Sequence, residues 1–194
     1  MKTFREYLDE SAANGVVAAF GRLQPPTTGH LLLVKKVVDT ARSHKCDHVI
    51  YLSKTNDAKK NPFDIDTKVK WARKMFPGAN IVGASAEIRT FIEMVKALNK
   101  KYKVLYLVAG SDRVIEYQKL LEKYNGIEFT YDKIEVVSAG ERDPDADGAA
   151  GMSATKMRKA ASDNDLASFK KGLPKHMMGS AQQMMDELRA GMGL

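Results

Sequence analysis

At 194 residues, with 44% apolar side chains, the chain is long enough to bury a core of ordinary size, which excludes collagen-like, low-complexity and mini-protein architectures. Thirty-one lysines and arginines against 24 acidic residues leave a net charge of +7, a bias toward anionic partners such as nucleotides, nucleic acids or acidic lipids. A single cysteine, Cys46, excludes an intramolecular disulfide framework and a multi-thiolate metal site. 

In chain order, Met1 to Glu10 carries acids where a signal peptide needs its apolar stretch, and Phe4, Tyr7 and Leu8 share one face of a short amphipathic helix. From Gly15 onward, β-rich runs alternate with segments of helical period. The first strand is Val16 to Phe20, and after a Gly/Pro/Thr-rich turn Leu31, Val34, Val38 and Ala41 form one helical stripe, with Leu33 and Val37 beside it. Next come a strand at His48 to Leu52, a helix around Lys68 to Met75 that contains a structural Trp71, and a strand at Asn80 to Val82. A helix over Glu87 to Lys100, a strand at Val104 to Ala109, a helix over Arg113 to Tyr124 and a strand at Phe129 to Val137 complete the alternation. This order predicts an α/β fold with a five-stranded parallel sheet and helices on both faces. No run of about 18 uncharged apolar residues offers a membrane span, so a soluble protein is expected. An acidic loop, Glu141 to Gly148, then precedes a helix starting near Ser153 and a methionine-rich helical tail from Met177 to Met192. The expected division is an N-terminal segment 1–14, a core 15–160 and a C-terminal helical subdomain 161–194.

Ligands of parallel sheets bind at the carboxyl ends of the strands, so the loops at Gly21, Ser53, Gly83, Gly110 and Ser138 should face the site. Two segments there carry phosphate chemistry. In Gly21-Arg22-Leu23-Gln24-Pro25-Pro26-Thr27-Thr28-Gly29-His30, Thr27 or Thr28 can cap the helix that follows. Gly29 permits a close backbone approach, and His30 sits in a first turn that attracts anions. In Met152-Ser153-Ala154-Thr155-Lys156-Met157-Arg158, Ser153 is a good N-cap, yet Lys156 and Arg158 stand in the first turns, where the helix dipole disfavours cations by about 0.3–1 kcal/mol each. Triphosphate oxygens would compensate, taking bonds from the Ser153 and Thr155 hydroxyls and the Arg158 fork. No G-x-G-x-x-G and no P-loop is present.

Together the two segments resemble the nucleotidyltransferase superfamily that carries (H/T)-x-G-H after its first strand and I-S-S-T-x-x-R near the end of its core. Thr27, Gly29 and His30 supply the first motif; Ser153, Thr155 and Arg158 supply the second, with Met152 for isoleucine and Ala154 for the second serine. Within that superfamily Gly21 to Pro25, the Asn61-Pro62-Phe63 tripeptide and Gly110-Ser111-Asp112 are most similar to archaeal-type nicotinamide mononucleotide adenylyltransferases, although Leu23 and Thr27 replace a phenylalanine and a histidine. The resemblance implies a Rossmann-like fold and transfer of AMP from ATP to nicotinamide mononucleotide, giving NAD and pyrophosphate. It implies that His30 and Thr27 act on the α-phosphate, and that Arg22, Lys156 and Arg158 neutralise the β- and γ-phosphates. Mg²⁺ would be held mainly by the triphosphate. The acceptor would lie near Asn61, Phe63 and Asp112. Asp112 is equally placed to cap the next helix, and Phe63 to be ordinary core. A CTP-dependent cytidylyltransferase acting on a phospho-alcohol shares both motifs and is the alternative.

Met1 to Glu10 also resembles the capsid-targeting peptides of internal head proteins in large tailed phages, which are cut after Leu/Ile-x-Glu before a small residue, as in Leu8-Asp9-Glu10 before Ser11. That resemblance implies a phage protein working in the host cytoplasm or packaged in the virion head. Other signals are set aside. Asp143, Asp145 and Asp147 before Gly148 copy the opening of a calcium loop, but its twelfth position is Ala154. His44, His48 and His176 lack metal-ligand spacing. The pairs Lys59-Lys60, Lys100-Lys101 and Lys170-Lys171 are scattered and lack interleaved aromatics, so a nucleic-acid-binding module is the non-enzyme rival and not the expectation. Methionines 177, 178, 184, 185 and 192 read as core or as an oligomer seam.

Overall fold

The computed structural model describes residues 14–140 and 151–194. The candidate capsid-targeting segment and the acidic loop lie outside the described residues. Five strands, β1 (Gly15–Gly21), β2 (Asp47–Leu52), β3 (Ile81–Gly83), β4 (Val104–Ala109) and β5 (Lys133–Ser138), form one sheet in the order β3-β2-β1-β4-β5, with every neighbouring pair parallel. Among the described residues seven α-helices flank it: α1 (Leu31–His44), α2 (Ile65–Met75), α3 (Phe91–Asn99), α4 (Val114–Tyr124), α5 (Ala154–Ser162), α6 (Leu166–Lys170) and α7 (Ala181–Gly191). This is the expected parallel α/β, Rossmann-like arrangement.

Strand residues alternate between two apolar layers, as the two-residue strand period requires. Val17, Ala19, Ile50 and Leu52 pack with Val34 and Val37 of α1 and Trp71 and Met75 of α2. Val16, Ala18, Leu105 and Leu107 pack with Met94 and Leu98 of α3 and Leu121 of α4. The tail joins the first layer: Met177, Met184, Met185 and Leu188 are buried in the same cluster as the sheet. The Trp71 indole N–H donates to Glu187 of α7 at 2.7 Å, fastening the tail to α2.

Several boundaries differ from the sequence expectation. Helix α2 begins at Ile65, because Asp64 accepts the Thr67 N–H at 2.8 Å. Helix α3 begins at Phe91 rather than Glu87, because Thr90 and Glu93 form a reciprocal capping box. Phe129 and Tyr131, expected within the last strand, leave the ladder for the core, where the Tyr131 hydroxyl bonds the Val95 carbonyl at 2.8 Å. Leu31, expected on the buried stripe of α1, is 51% exposed. No described helix is long and apolar enough to cross a membrane.

The chain winds one way from β1 to β2 and β3, then crosses over to β4 and β5. The switch point therefore lies between the carboxyl ends of β1 and β4, at Gly21 and Gly110, and a crevice opens there.

Candidate active site

The turn after β1 is held by its own polar groups. Thr27 caps a single 3₁₀ turn, Thr28–His30, and its backbone N–H donates to His30 Nδ1 at 3.0 Å. With Nδ1 accepting, a neutral imidazole carries its proton on Nε2, an assignment made from the hydrogen bond. Thr27 is fully buried, and its hydroxyl donates to the Met152 carbonyl at 2.9 Å. The sequence places Thr27 on the substrate phosphate, whereas in the structure its side chain is buried against the Met152 carbonyl and its backbone N–H holds the His30 ring.

That Met152 bond spans 125 residues and joins the two signature segments. Gly29 is the reason they can touch: a Cβ there would lie 2.5 Å from the Met152 oxygen, far inside contact distance. The close approach expected at Gly29 is thus made by the backbone of the second motif. The Thr28 N–H reaches the Gly172 carbonyl at 2.9 Å, and Arg158 of α5 donates to the Gln24 carbonyl at 2.5 Å and to Thr155 Oγ1 at 3.1 Å. Ser153 caps α5 by accepting the Lys156 N–H at 3.2 Å.

These contacts shape a cleft of about 470 Å³ whose walls include Gly21, Arg22, His30, Ser153, Thr155 and Arg158, the residues both motifs nominate. Lys60 and Asn61 close its far side. A second cavity of about 220 Å³ shares His30 and Leu33 and is bordered by Gly29, Gly110, Asp112 and Gly140. Burial, and after it the charge of Arg22, lowers the pKa of Arg158; Asp57 opposes the shift. Like charges held together at a half-buried site favour an anion between them.

Other expected residues separate. Phe63 is 1% exposed and belongs to the core, its backbone N–H and C=O both bonded to the Gln24 side chain at 3.0 and 2.7 Å. It is therefore no stacking surface. Lys156 turns its ammonium onto the Gly151 carbonyl at 3.0 Å and is not part of the cleft wall. Asp112 stands in a 3₁₀ turn, exposed and 3.5 Å from Arg113, and makes no cap for α4, whose N-cap is Arg113. It borders the smaller cavity whereas Asn61 borders the larger, so the two do not share one pocket as the sequence reading had it. Asn61 is 3% exposed; its amide N–H₂ donates to Asp57 at 2.5 Å, leaving a buried Oδ1 without a partner in the described structure. Among the described residues no group of three or more His, Cys, Asp or Glu could hold a metal ion.

Lys60 and Gln24 were missed from sequence. Lys60 read as half of a scattered lysine pair, although it immediately precedes the Asn61-Pro62-Phe63 tripeptide.

No family model matches the chain, and no curated protein matches it. Solved structures do. TmcAL of Thermotoga maritima bound with alpha-thio ATP superposes with a TM-score of 0.54 at 11% identity, over 89% of this chain and 56% of that one. Its apo form gives 0.50 at 12% identity, over 89% and 57%. The chain thus spans a little over half the length of these structures, and the likeness is one of fold.

Proposed function

We propose that the chain is a nucleotidyltransferase that transfers AMP from ATP to nicotinamide mononucleotide, releasing pyrophosphate and forming NAD. The observation that carries this reading is the meeting of His30 and Arg158, 128 positions apart in sequence, on one basic cleft at the switch point of the sheet. The fold shared with a structure bound with alpha-thio ATP supports it.

In this reading the smaller cavity takes the nucleoside, with Asp112 accepting from a ribose hydroxyl, and the triphosphate runs across His30 into the larger cleft. A phosphate oxygen of the acceptor attacks the α-phosphorus; the new P–O bond forms as the bond to the β-phosphate oxygen breaks, and pyrophosphate leaves. Such a step needs positioning and charge stabilisation more than acid-base chemistry. His30 donates from Nε2 to an α-phosphate oxygen as negative charge gathers there. Arg22, Lys60 and Arg158 hold the β- and γ-phosphates. Mg²⁺, when bound, would neutralise triphosphate charge while being ligated by phosphate oxygens, which suits a cleft lined by cations, amides and hydroxyls.

The cytidylyltransferase alternative shares both motifs and would use the same two cavities. The deciding experiment incubates the protein with each nucleoside triphosphate and a panel of mononucleotide and phospho-alcohol acceptors, with products weighed by mass spectrometry. NAD from ATP and nicotinamide mononucleotide is expected. A CDP-alcohol product would select the alternative, and no pyrophosphate from any pair would overturn both.

A further inference from the structure

Lys68 lies on α2 with no solvent-exposed surface. Taking an ammonium out of water costs several kcal/mol unless its donors are met. Among the described residues no carboxylate bonds it; its donors go to the main-chain carbonyls of Ser53 and Thr55, the second at 3.3 Å. Those carbonyls open the 53–60 loop that leaves β2, and the Ser53 N–H is itself tied to the Gly21 carbonyl at 2.8 Å. The far end of the loop is clamped by Gln24 on Phe63. Between the clamps the Asp57 carboxylate accepts the N–H groups of Lys59 and Lys60 at 3.1 and 2.6 Å, folding the loop back so that Lys60 and Asn61 face the cleft.

We propose that Lys68 is a positioning residue for the phosphate-binding cleft: its buried ammonium ties down the start of the 53–60 loop, fixes Lys60 and Asn61 on the wall, and loosens its hold when its proton is lost. The anion it serves rests on the nucleotide reading above; the loop clamp does not. Two charged groups face this ammonium, Arg22 from the exit of β1 and Asp64 from the N-cap of its own helix. Burial first and Arg22 second push its pKa down to about 8, and Asp64 opposes them. Loss of that proton turns charge-assisted bonds into neutral ones of roughly half the strength. In the unfolded chain a lysine keeps its proton to about pH 10.4. Between pH 8 and that value the unfolded state therefore binds more protons, and the Lys68 contribution to stability rises with pH. Over that window the fold as a whole grows firmer, while the loop, whose clamp loses its charge, grows looser.

The test measures ATP affinity and hydrogen exchange of the peptide spanning 53–63, corrected for intrinsic rates, at pH 7.5 and 9.5 in the wild type, Lys68→Met and Lys68→Arg. The terminal phosphate of ATP is almost wholly ionised at both. In the wild type the ATP Kd should rise about threefold to tenfold at pH 9.5 and loop exchange should quicken, by the weakening just given. Lys68→Met should bind about tenfold more weakly at both values with a loop already fast, and Lys68→Arg, which keeps its charge, should bind tightly at both. A loop that exchanges alike in the wild type at both pH values and in Lys68→Met overturns the proposal. If Lys68→Met fails to fold, the wild type against Lys68→Arg still decides, because only the wild type should respond to pH. A loop that responds as expected in a protein that binds no ATP at either pH upholds the clamp and overturns the nucleotide reading instead.

Discussion

The two lobes of the cleft meet at His30 and Leu33 yet are built by different means. The larger holds charge on long side chains that distant contacts keep in place: Arg158 is anchored on the Gln24 carbonyl 134 residues away, and Lys60 rides on a loop clamped at both ends. The smaller is formed chiefly by short residues where β4 and β5 end, with Gly110, Ser111, Ala139 and Gly140 offering backbone more than side chain and Asp112 as its charged group. A polyanion requires fixed counter-charges, which cost side-chain entropy unless packing holds them. A nucleoside asks mainly for a slot of the right width with a few polar groups. The difference suits the proposed division of triphosphate and nucleoside between the lobes, and under that proposal substitutions that touch one lobe should leave the other's ligand alone.

His30 belongs to both lobes, so its loss should be the most damaging. Under the proposed mechanism His30→Ala removes a donor aimed at charge that develops in the transition state, and turnover should fall about 10²–10³-fold. Because in the proposed complex the arginines and Lys60 hold the ground-state triphosphate, the ATP Kd should move less than about threefold. Single-turnover kinetics beside equilibrium binding checks both numbers, and an unchanged turnover would remove His30 from the mechanism. Arg158→Met strikes the larger lobe alone. Losing hydrogen bonds from a charged donor, each about 1.5–3 kcal/mol, should weaken ATP about 10- to 100-fold. Binding of adenosine, which lacks phosphate, should stay the same; calorimetry with the two ligands makes the comparison.

The same division shows what sequence could and could not convey. The alternation of strands and helices and the placing of both motifs were legible because each depends on local pattern: β-rich runs, a turn rich in Gly, Pro and Thr, a serine before a helix. The direction of each side chain was not, since that depends on contacts far along the chain. Thr27 looks like a phosphate ligand until the Met152 carbonyl claims it, and Phe63, placed near the acceptor or in the core, proves to be core, with Gln24 holding its backbone. Lys156 and Arg158 stand two apart on α5, about 200° around a helix of 3.6 residues per turn, so that both facing one cleft was improbable from periodicity alone. Lys68 offered no signal, because a lysine in an amphipathic helix ordinarily faces water.

Gly29 tests whether the larger lobe depends on the docking of the two motifs. Gly29→Ala places a methyl group 2.5 Å from a backbone oxygen that cannot rotate away, so the start of α5 must shift. Overpacking of this kind costs about 1–3 kcal/mol, and a chain of this size loses about 2–4 °C of Tm per kcal/mol. Calorimetry should therefore show a Tm lower by about 2–12 °C, with ATP affinity falling further than adenosine affinity because Arg158 and Ser153 move with the helix. An unchanged Tm would mean the motifs do not pack as closely as described.

The smallest effect should come from the smaller lobe. Asp112 is well exposed and shares its charge with Arg113 at 3.5 Å, so water already competes for its oxygens and any bond to a ribose hydroxyl is worth little more than a neutral one. Asp112→Asn keeps an acceptor in place and removes only the charge. Adenosine and ATP should both weaken by about twofold to fivefold, the scale of a net hydrogen bond of 0.5–1 kcal/mol, while inorganic pyrophosphate binds as before. The equality of the first two changes is the informative part. If the substitution weakened ATP but not adenosine, Asp112 would be sensing phosphate charge, and the nucleoside would have to be placed in the other lobe.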